Sequence, residues 1–427
     1  MMSLNNLDPR SLILRDLLII IFFGIIVRFG LFFIFDYQFD LYGGDSDYYI
    51  KTGKNIVEFG IHGPYGVPTF YRPPFYSFFA GIIANVSETA VFFYLVQSII
   101  FISFASIVYF LLRRYGAKLA FVSALLIAVS PFDALMNGRV LSENLVTPLL
   151  VLGVLIFMHS NNSKVLFFLS GIMLGGVALS RDVYLLFPLL LLLAGVYIRI
   201  SWRHLAVFLL GFLILVGPWA YRNSQMASGG VFLSNGIFWT NVWIGVWERN
   251  ASWTQMPNPY VPPTEALLTY DNGNSPSVVM TAFKNEDQKF FREVTLNYML
   301  NQPFKVIYTW VARYPLLWFG TRSDLNTSYL TRGGVTWYSL KIIFFSVNAI
   351  VIIFALLGIF IALRKKNFPL MLCLPVIYNA VIYIPLHNVE TRYSLPVMPI
   401  LTIYCSFFIL QVLANWPTGL ALLRTTK

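Results

Sequence analysis

Two carboxylates two positions apart, Asp45 and Asp47, stand in the run Gly44-Asp45-Ser46-Asp47-Tyr48-Tyr49, and a series of arginines follows them: Arg72, Arg139, Arg181, Arg222 and Arg392, with Glu143 and Asp182 interspersed. A carboxylate accepts a proton from an attacking hydroxyl. Arginines grip a phosphate through paired hydrogen bonds and stabilise it as a leaving group. Neighbouring carboxylates are equally compatible with a divalent cation bridging to phosphate, and a base that works without metal has the same sequence, so no cofactor is fixed by these residues. His62 and His387 stand alone, read as surface histidines, and suggest no metal site.

The elements that must carry these residues are membrane helices. Of 427 residues, 57% are hydrophobic and 11% charged, with a mean hydropathy of +0.69. A soluble domain carries about 25% charged residues, so an ordinary globular enzyme is excluded. Stretches of roughly 20 apolar residues read as spans. They fall at 17–36, 89–112, 118–133, 143–159, 163–180, 183–198, 204–220, 342–363, 367–385 and 395–413, which predicts an all-α polytopic protein of about ten transmembrane helices.

Short loops rich in Lys and Arg mark the cytoplasmic side. With the N-terminus inside, that side receives Arg10, Arg15, Arg113, Arg114, Lys118, Lys164, Arg199, Arg203, Arg364, Lys365, Lys366, Arg424 and Lys427, opposed by Asp8 and Asp16 alone. The whole net charge of +11 therefore lies on the inner face. It is a topology signal rather than a nucleic-acid footprint. Both termini are expected in the cytoplasm. The first span is too long and too late for a cleaved signal peptide. Cys373 and Cys405 fall within spans, where they behave as small apolar residues.

The chain divides into a membrane block over 1–220, an outer segment over 221–335 rich in Asn, Pro, Ser and charge, and a second membrane block over 336–427. Within the outer segment 279–300 and 303–320 read helical, the latter amphipathic, with Trp310, Tyr314 and Trp318, and suited to lie on the bilayer. A first outer loop over 37–88 contains a helical stretch at 50–59 and the apolar stretch 75–86, which is too short to span. No repeat of fixed period and no low-complexity tract occurs.

On this topology Asp45, Asp47, His62, Arg72, Arg139, Glu143, Arg181, Asp182, Arg222, Glu390 and Arg392 share the outer face. Each also has a plainer reading. Asp45 or Asp47 can cap a helix beginning near Tyr48. Arg139 and Glu143 are one helical turn apart and can form a structural pair. Arg181-Asp182 can be a local ion pair, while Arg222 and Arg392, beside Trp219 and Tyr393, can be interfacial anchors. Arg28 lies deep in the first span and calls for an internal carboxylate.

Five motifs run in order. They are Gly44-Asp45-Ser46-Asp47-Tyr48-Tyr49 with Gly66-Val67-Pro68-Thr69-Phe70-Tyr71-Arg72-Pro73-Pro74-Phe75-Tyr76; Leu141-Ser142-Glu143; Leu179-Ser180-Arg181; Pro218-Trp219-Ala220-Tyr221-Arg222-Asn223; and Arg392-Tyr393-Ser394-Leu395-Pro396. Together they resemble the GT-C membrane glycosyltransferases, in particular the family 39 and aminoarabinose-transferase-like branch related to protein O-mannosyltransferases. The resemblance covers most of the chain and is weakest over 225–335. It implies that Asp45, with Asp47 as a second acid, is the catalytic base or a metal partner. It also implies that Arg72, Glu143, Arg181, Arg222 and Arg392 line the cavity or contact the donor phosphate; Tyr48, Arg139 and Asp182, beside them, are further candidates for binding substrate.

The activity implied is inverting transfer of a sugar from a polyprenyl-phosphate donor to a lipid, glycan or protein acceptor. That transfer is expected at the non-cytoplasmic face of a cell inner membrane, with membrane lipid but no nucleic acid among the partners. A lipid-linked sugar flippase or transporter is the rival, but such proteins place ionisable groups near the midplane in repeated halves. A non-catalytic assembly factor is the third reading, and it requires that the outer acids and arginines do not converge.

Overall fold

The structure, a computed structural model, describes residues 9–34, 44–69, 72–160, 163–226, 238–247, 287–319, 334–365, 368–386 and 391–415. His387 and Glu390 lie outside them. Among the described residues all regular structure is helical. Within the described residues each expected span falls largely on helix. In chain order these are α1 (Pro9–Ile34), α2 (Gly44–Phe59), α3 (Pro74–Val86), α4 (Ala90–Leu112), α5 (Ala117–Ala128), α6 (Pro131–Met136), α7 (Glu143–His159), α8 (Lys164–Ser180), α9 (Phe187–Tyr197) and α10 (Trp202–Met226). They continue with α11 (Phe238–Trp247), α12 (Gln288–Asn301), α13 (Pro303–Phe319), α14 (Gly334–Lys365), α15 (Cys373–Ile382) and α16 (Met398–Asn415).

Among the described residues six segments are long and apolar enough to cross a membrane: Arg10–Ile34, Ala90–Tyr115, Ala117–Met136, Trp202–Met226, Ile342–Arg364 and Thr391–Ala414. Helices α7, α8, α9 and α15 are apolar but shorter. The protein is a polytopic membrane protein. One apolar core runs through α1, α4, α5, α7, α8, α10, α14 and α16. Lipid offers apolar side chains no reason to leave it, so close backbone approach must hold such helices together. A methyl group at Gly171 of α8 would overlap the carbonyl of Phe208 on α10, and one at Gly211 of α10 that of Phe168.

Two smaller apolar clusters serve the segments 44–86 and 238–319. In one, Trp243, Val246, Phe291, Val294 and Val306 join α11, α12 and α13. The opposite side of α13 exposes Phe304, Ile307, Tyr308 and Val311, whereas the Trp310, Tyr314 and Trp318 of the expected apolar face pack inward. In the other, Tyr49, Ile50, Tyr76, Ala80, Ile83 and Ala84 pack α2 on α3 against Phe93 and Val140. Here α2 and α3 cross at Gly53 and Gly81, so closely that a Cβ on either would lie inside the other's backbone.

That crossing fixes the helix bearing Asp45 to the helix that begins two residues after Arg72. We expect Gly81→Ala to force the pair apart and to cost about 1–3 kcal/mol, as overpacking does. A lowered thermal unfolding midpoint in detergent, with Gly217→Ala as a control facing open space, checks this.

Candidate active site

Helix α2 begins at Gly44, four residues earlier than the sequence suggests, and holds Asp45 and Asp47 in its first turn. Two residues along a helix are rotated about 200° from each other, so these acids face different ways. Asp47 pairs with Lys51 one turn on, at 2.8 Å, on the exposed side. Asp45 turns inward. Its Oδ1 accepts a hydrogen bond from Arg72 Nη2 at 2.7 Å, and its Oδ2 lies 3.6 Å from Arg392 Nη1. The two acids thus hold different cations and do not form a chelating pair. Arg72 is itself oriented: Nη1 donates to the Tyr49 hydroxyl at 2.9 Å, and the guanidinium lies over the rings of Tyr48 and Tyr49.

Glu143 opens α7 and is buried. A helix N-terminus favours a negative charge, yet burial without a cation would be costly. Arg181 supplies that cation. Its Nη1 lies 2.6 Å from Glu143 Oε1, and it sits at the C-terminal cap of α8, where a positive charge is favoured. Burial would lower the Arg181 pKa, but Glu143 outweighs it and holds the guanidinium above its ordinary value. The Arg181 guanidinium lies 4.5 Å from the ring centroid of Tyr393, which stacks on Tyr383 at 5.1 Å. Arg392 stands in the 3-10 segment Thr391–Val397 that leads into α16, with its Nε 4.0 Å from Glu143 Oε1. Its Nη2 donates to the Tyr393 hydroxyl.

The result is a chain of alternating charge: Arg72, Asp45, Arg392, Glu143, Arg181. These five come from the first outer loop, the two helices after α6, and the C-terminal block. Their convergence removes the basis for a site whose acids and arginines stay apart.

Other expected residues have different places. Arg139 is not on the same helix as Glu143, because α7 starts at Glu143 itself. It lies in the turn before, and its carbonyl accepts from Gln97 and Asn144. Asp182 is exposed in the 3-10 turn after α8, and Arg181 turns to Glu143. Arg222, on α10, fastens the first outer loop: its Nη1 donates to the Thr69 carbonyl at 3.3 Å and to Asn223 Oδ1 at 2.8 Å. Its guanidinium covers the Trp219 ring. His62 is no surface histidine. It is buried against the edge of Trp219, with Nδ1 2.9 Å from the Thr69 carbonyl.

Arg28 finds an amide where a carboxylate was expected. Nε donates to Asn137 Oδ1 at 3.1 Å, and Nη1 to the carbonyls of Gly24 and Ala128. Asp133 attracts it at longer range. Asn137 then donates to Asn144 Oδ1, while its carbonyl accepts from Gln97, which accepts from Tyr76. Ser46, next to Asp45, donates to the Val140 carbonyl. This buried strut sets the corner before Glu143 against the start of α2. Sequence reasoning missed Gln97, Asn137 and Asn144; three amides within or beside apolar stretches were the available signal.

No protein-family model matches the chain, and no curated protein does either. Two solved structures resemble it. One is ArnT from Cupriavidus metallidurans bound to undecaprenyl phosphate, with TM-score 0.51 and 16% identity over 90% of this chain and 59% of that one. The other is the archaeal oligosaccharyltransferase AglB from Archaeoglobus fulgidus, in complex with an inhibitory peptide and a dolichol-phosphate. Its TM-score is 0.53, with 15% identity over 98% of this chain and 52% of that one. The chain thus spans between half and three-fifths of the length of these structures, and it shares their fold.

Two outcomes follow from the geometry. Glu143→Gln leaves the buried Arg181 guanidinium without a counter-charge, which costs about 3 kcal/mol or more and appears as a lower unfolding midpoint. Burial, with Arg222 nearby, pushes His62 down to about 4 from its ordinary 6.5. The unfolded chain therefore takes up a proton that the folded loop refuses. Stability is complete above pH 6.5 and declines as pH falls towards 4. His62→Phe should remove that part of the pH dependence in thermal unfolding.

Proposed function

From the premise that the chain has the GT-C fold, we propose that it is an inverting glycosyltransferase. It moves a sugar from a polyprenyl-phosphate donor to a lipid, glycan or protein acceptor at the non-cytoplasmic face of the membrane. One observation carries the reading: the charge chain puts a partly exposed carboxylate, Asp45, between two partly exposed arginines, Arg72 and Arg392. The two similar structures, described as bound to undecaprenyl phosphate and to a dolichol-phosphate, support a lipid phosphate as the donor's leaving group. The basic inner loops support the outer placement.

In this mechanism Asp45 accepts the proton of the acceptor hydroxyl or amine as that group attacks the sugar C1. The new bond forms at C1 as the bond from C1 to the phosphate oxygen breaks. The polyprenyl phosphate leaves with the bonding pair, and Arg72 and Arg392 receive the developing charge. One displacement inverts the anomeric carbon and needs no covalent nucleophile. Arg181, committed to Glu143, holds Arg392's side of the site in place. Arg222 keeps the first outer loop on α10. Asp47, paired with Lys51, stays outside the reaction.

Asp45→Asn should abolish transfer, by several orders of magnitude in rate, while leaving folding intact. Purified protein in lipid, supplied with a set of polyprenyl-phosphate-linked sugars, reports release of the free lipid phosphate. Near-normal turnover by the variant overturns the assignment.

A further inference from the structure

Asp45 occupies the place between Arg72 and Arg392 that a phosphate would take. Each of its oxygens faces a different guanidinium, Oδ1 at 2.7 Å from Arg72 Nη2 and Oδ2 at 3.6 Å from Arg392 Nη1. Carboxylates and phosphates make the same paired hydrogen bonds to arginine. An acid held in this way directs its lone pairs at two cations and away from an incoming hydroxyl.

The arginines are the fixed partners. Arg72 is set by the Tyr49 hydroxyl and by two aromatic rings. Arg392 is set by Glu143 and Tyr393. The Asp45 side chain, about a third exposed, is the one with room to turn.

We infer that the donor's phosphate displaces the Asp45 carboxylate from Arg392 and Arg72, so that binding of the donor is what frees the base. This rests on the reading of the site as one for a polyprenyl-phosphate donor. The charge balance of the reaction fits the exchange. Asp45 begins as an anion and becomes neutral when it takes the acceptor's proton. The phosphate begins as a diester with one negative charge and departs as a monoester carrying one more. The negative charge lost by the base is the charge gained by the leaving group, and the same two guanidinium groups meet both. A base freed only by the donor also sets the order of events: donor first, then deprotonation of the acceptor.

The test is a binding measurement and needs no turnover. Purified wild type, Asp45→Asn and Asp47→Asn are titrated with undecaprenyl phosphate in lipid nanodiscs, with undecaprenol and inorganic phosphate as parallel probes. Removing a competing, partly exposed ion pair should tighten undecaprenyl phosphate binding roughly three- to ten-fold in Asp45→Asn. Asp47→Asn should bind as wild type does, and undecaprenol should show no gain. Asp45→Ala is the second variant should the first fold poorly.

Unchanged or weaker binding by both Asp45 variants overturns the exchange while leaving the transferase reading in place. An equal gain in Asp47→Asn overturns it too, since overall charge would then explain the effect. A gain shown by inorganic phosphate alone overturns the assignment of the ligand as a lipid phosphate. Wild type that binds no undecaprenyl phosphate overturns the exchange and the transferase reading together.

Discussion

A buried carboxylate must be answered by a cation inside the protein, and the answer to Glu143 organises the end of the molecule where the acids and arginines gather. Glu143 is 4% exposed, so its charge cannot lean on water. Arg181 meets it from the end of α8 and Arg392 from the approach to α16. Two regions more than two hundred residues apart in sequence are thereby brought to one point. Arg392 reaches onward from Glu143 to Asp45, which carries the constraint into the first outer loop. Removing one partner of such a pair costs far more than the pair itself contributes. The geometry around Asp45 therefore inherits its precision from a residue that need not touch a substrate.

The buried amides beneath the site extend the same logic inward. Arg28 is 2% exposed within the first span, and it spends two of its donors on the carbonyls of Gly24 and Ala128 and one on Asn137. Through Asn137 and Gln97 this reaches Tyr76 on α3. Tyr76 meets Tyr49 edge-on at 4.8 Å, and Tyr49 orients Arg72. In an apolar surrounding, polar groups that satisfy one another resist separation, because nothing else nearby can replace the lost bonds. The path from the first helix is thus hydrogen-bonded as far as Tyr76 and passes on to Tyr49 and Arg72 through a ring contact.

How much of this was legible in the sequence differs residue by residue. Hydropathy located the spans because it depends on composition over about 20 residues, and the clustering of acids and arginines at one end followed from topology. The choice between Asp45 and Asp47 was different. It turns on where α2 begins, and a start at Gly44 rather than near Tyr48 puts the two acids on opposite faces. A helix boundary also separates Arg139 from Glu143, which their spacing alone had joined. The partner of Arg28, the burial of His62 and the pairing of Glu143 with Arg181 are tertiary facts. No local pattern in the sequence encodes them.

The contact between Gly53 and Gly81 has a mechanical consequence. Two helices whose backbones touch have no side chains between them to yield, so α2 and α3 behave as a single blade. A ligand entering beside Asp45 cannot be accommodated by tilting one helix against the other. Whatever adjustment occurs there must come from rotation about side-chain bonds at the edge of that blade, or from the segment Thr391–Val397 that carries Arg392. The pair α2 and α3 thus presents a rigid face beside Asp45, and what can lie there is what conforms to that face.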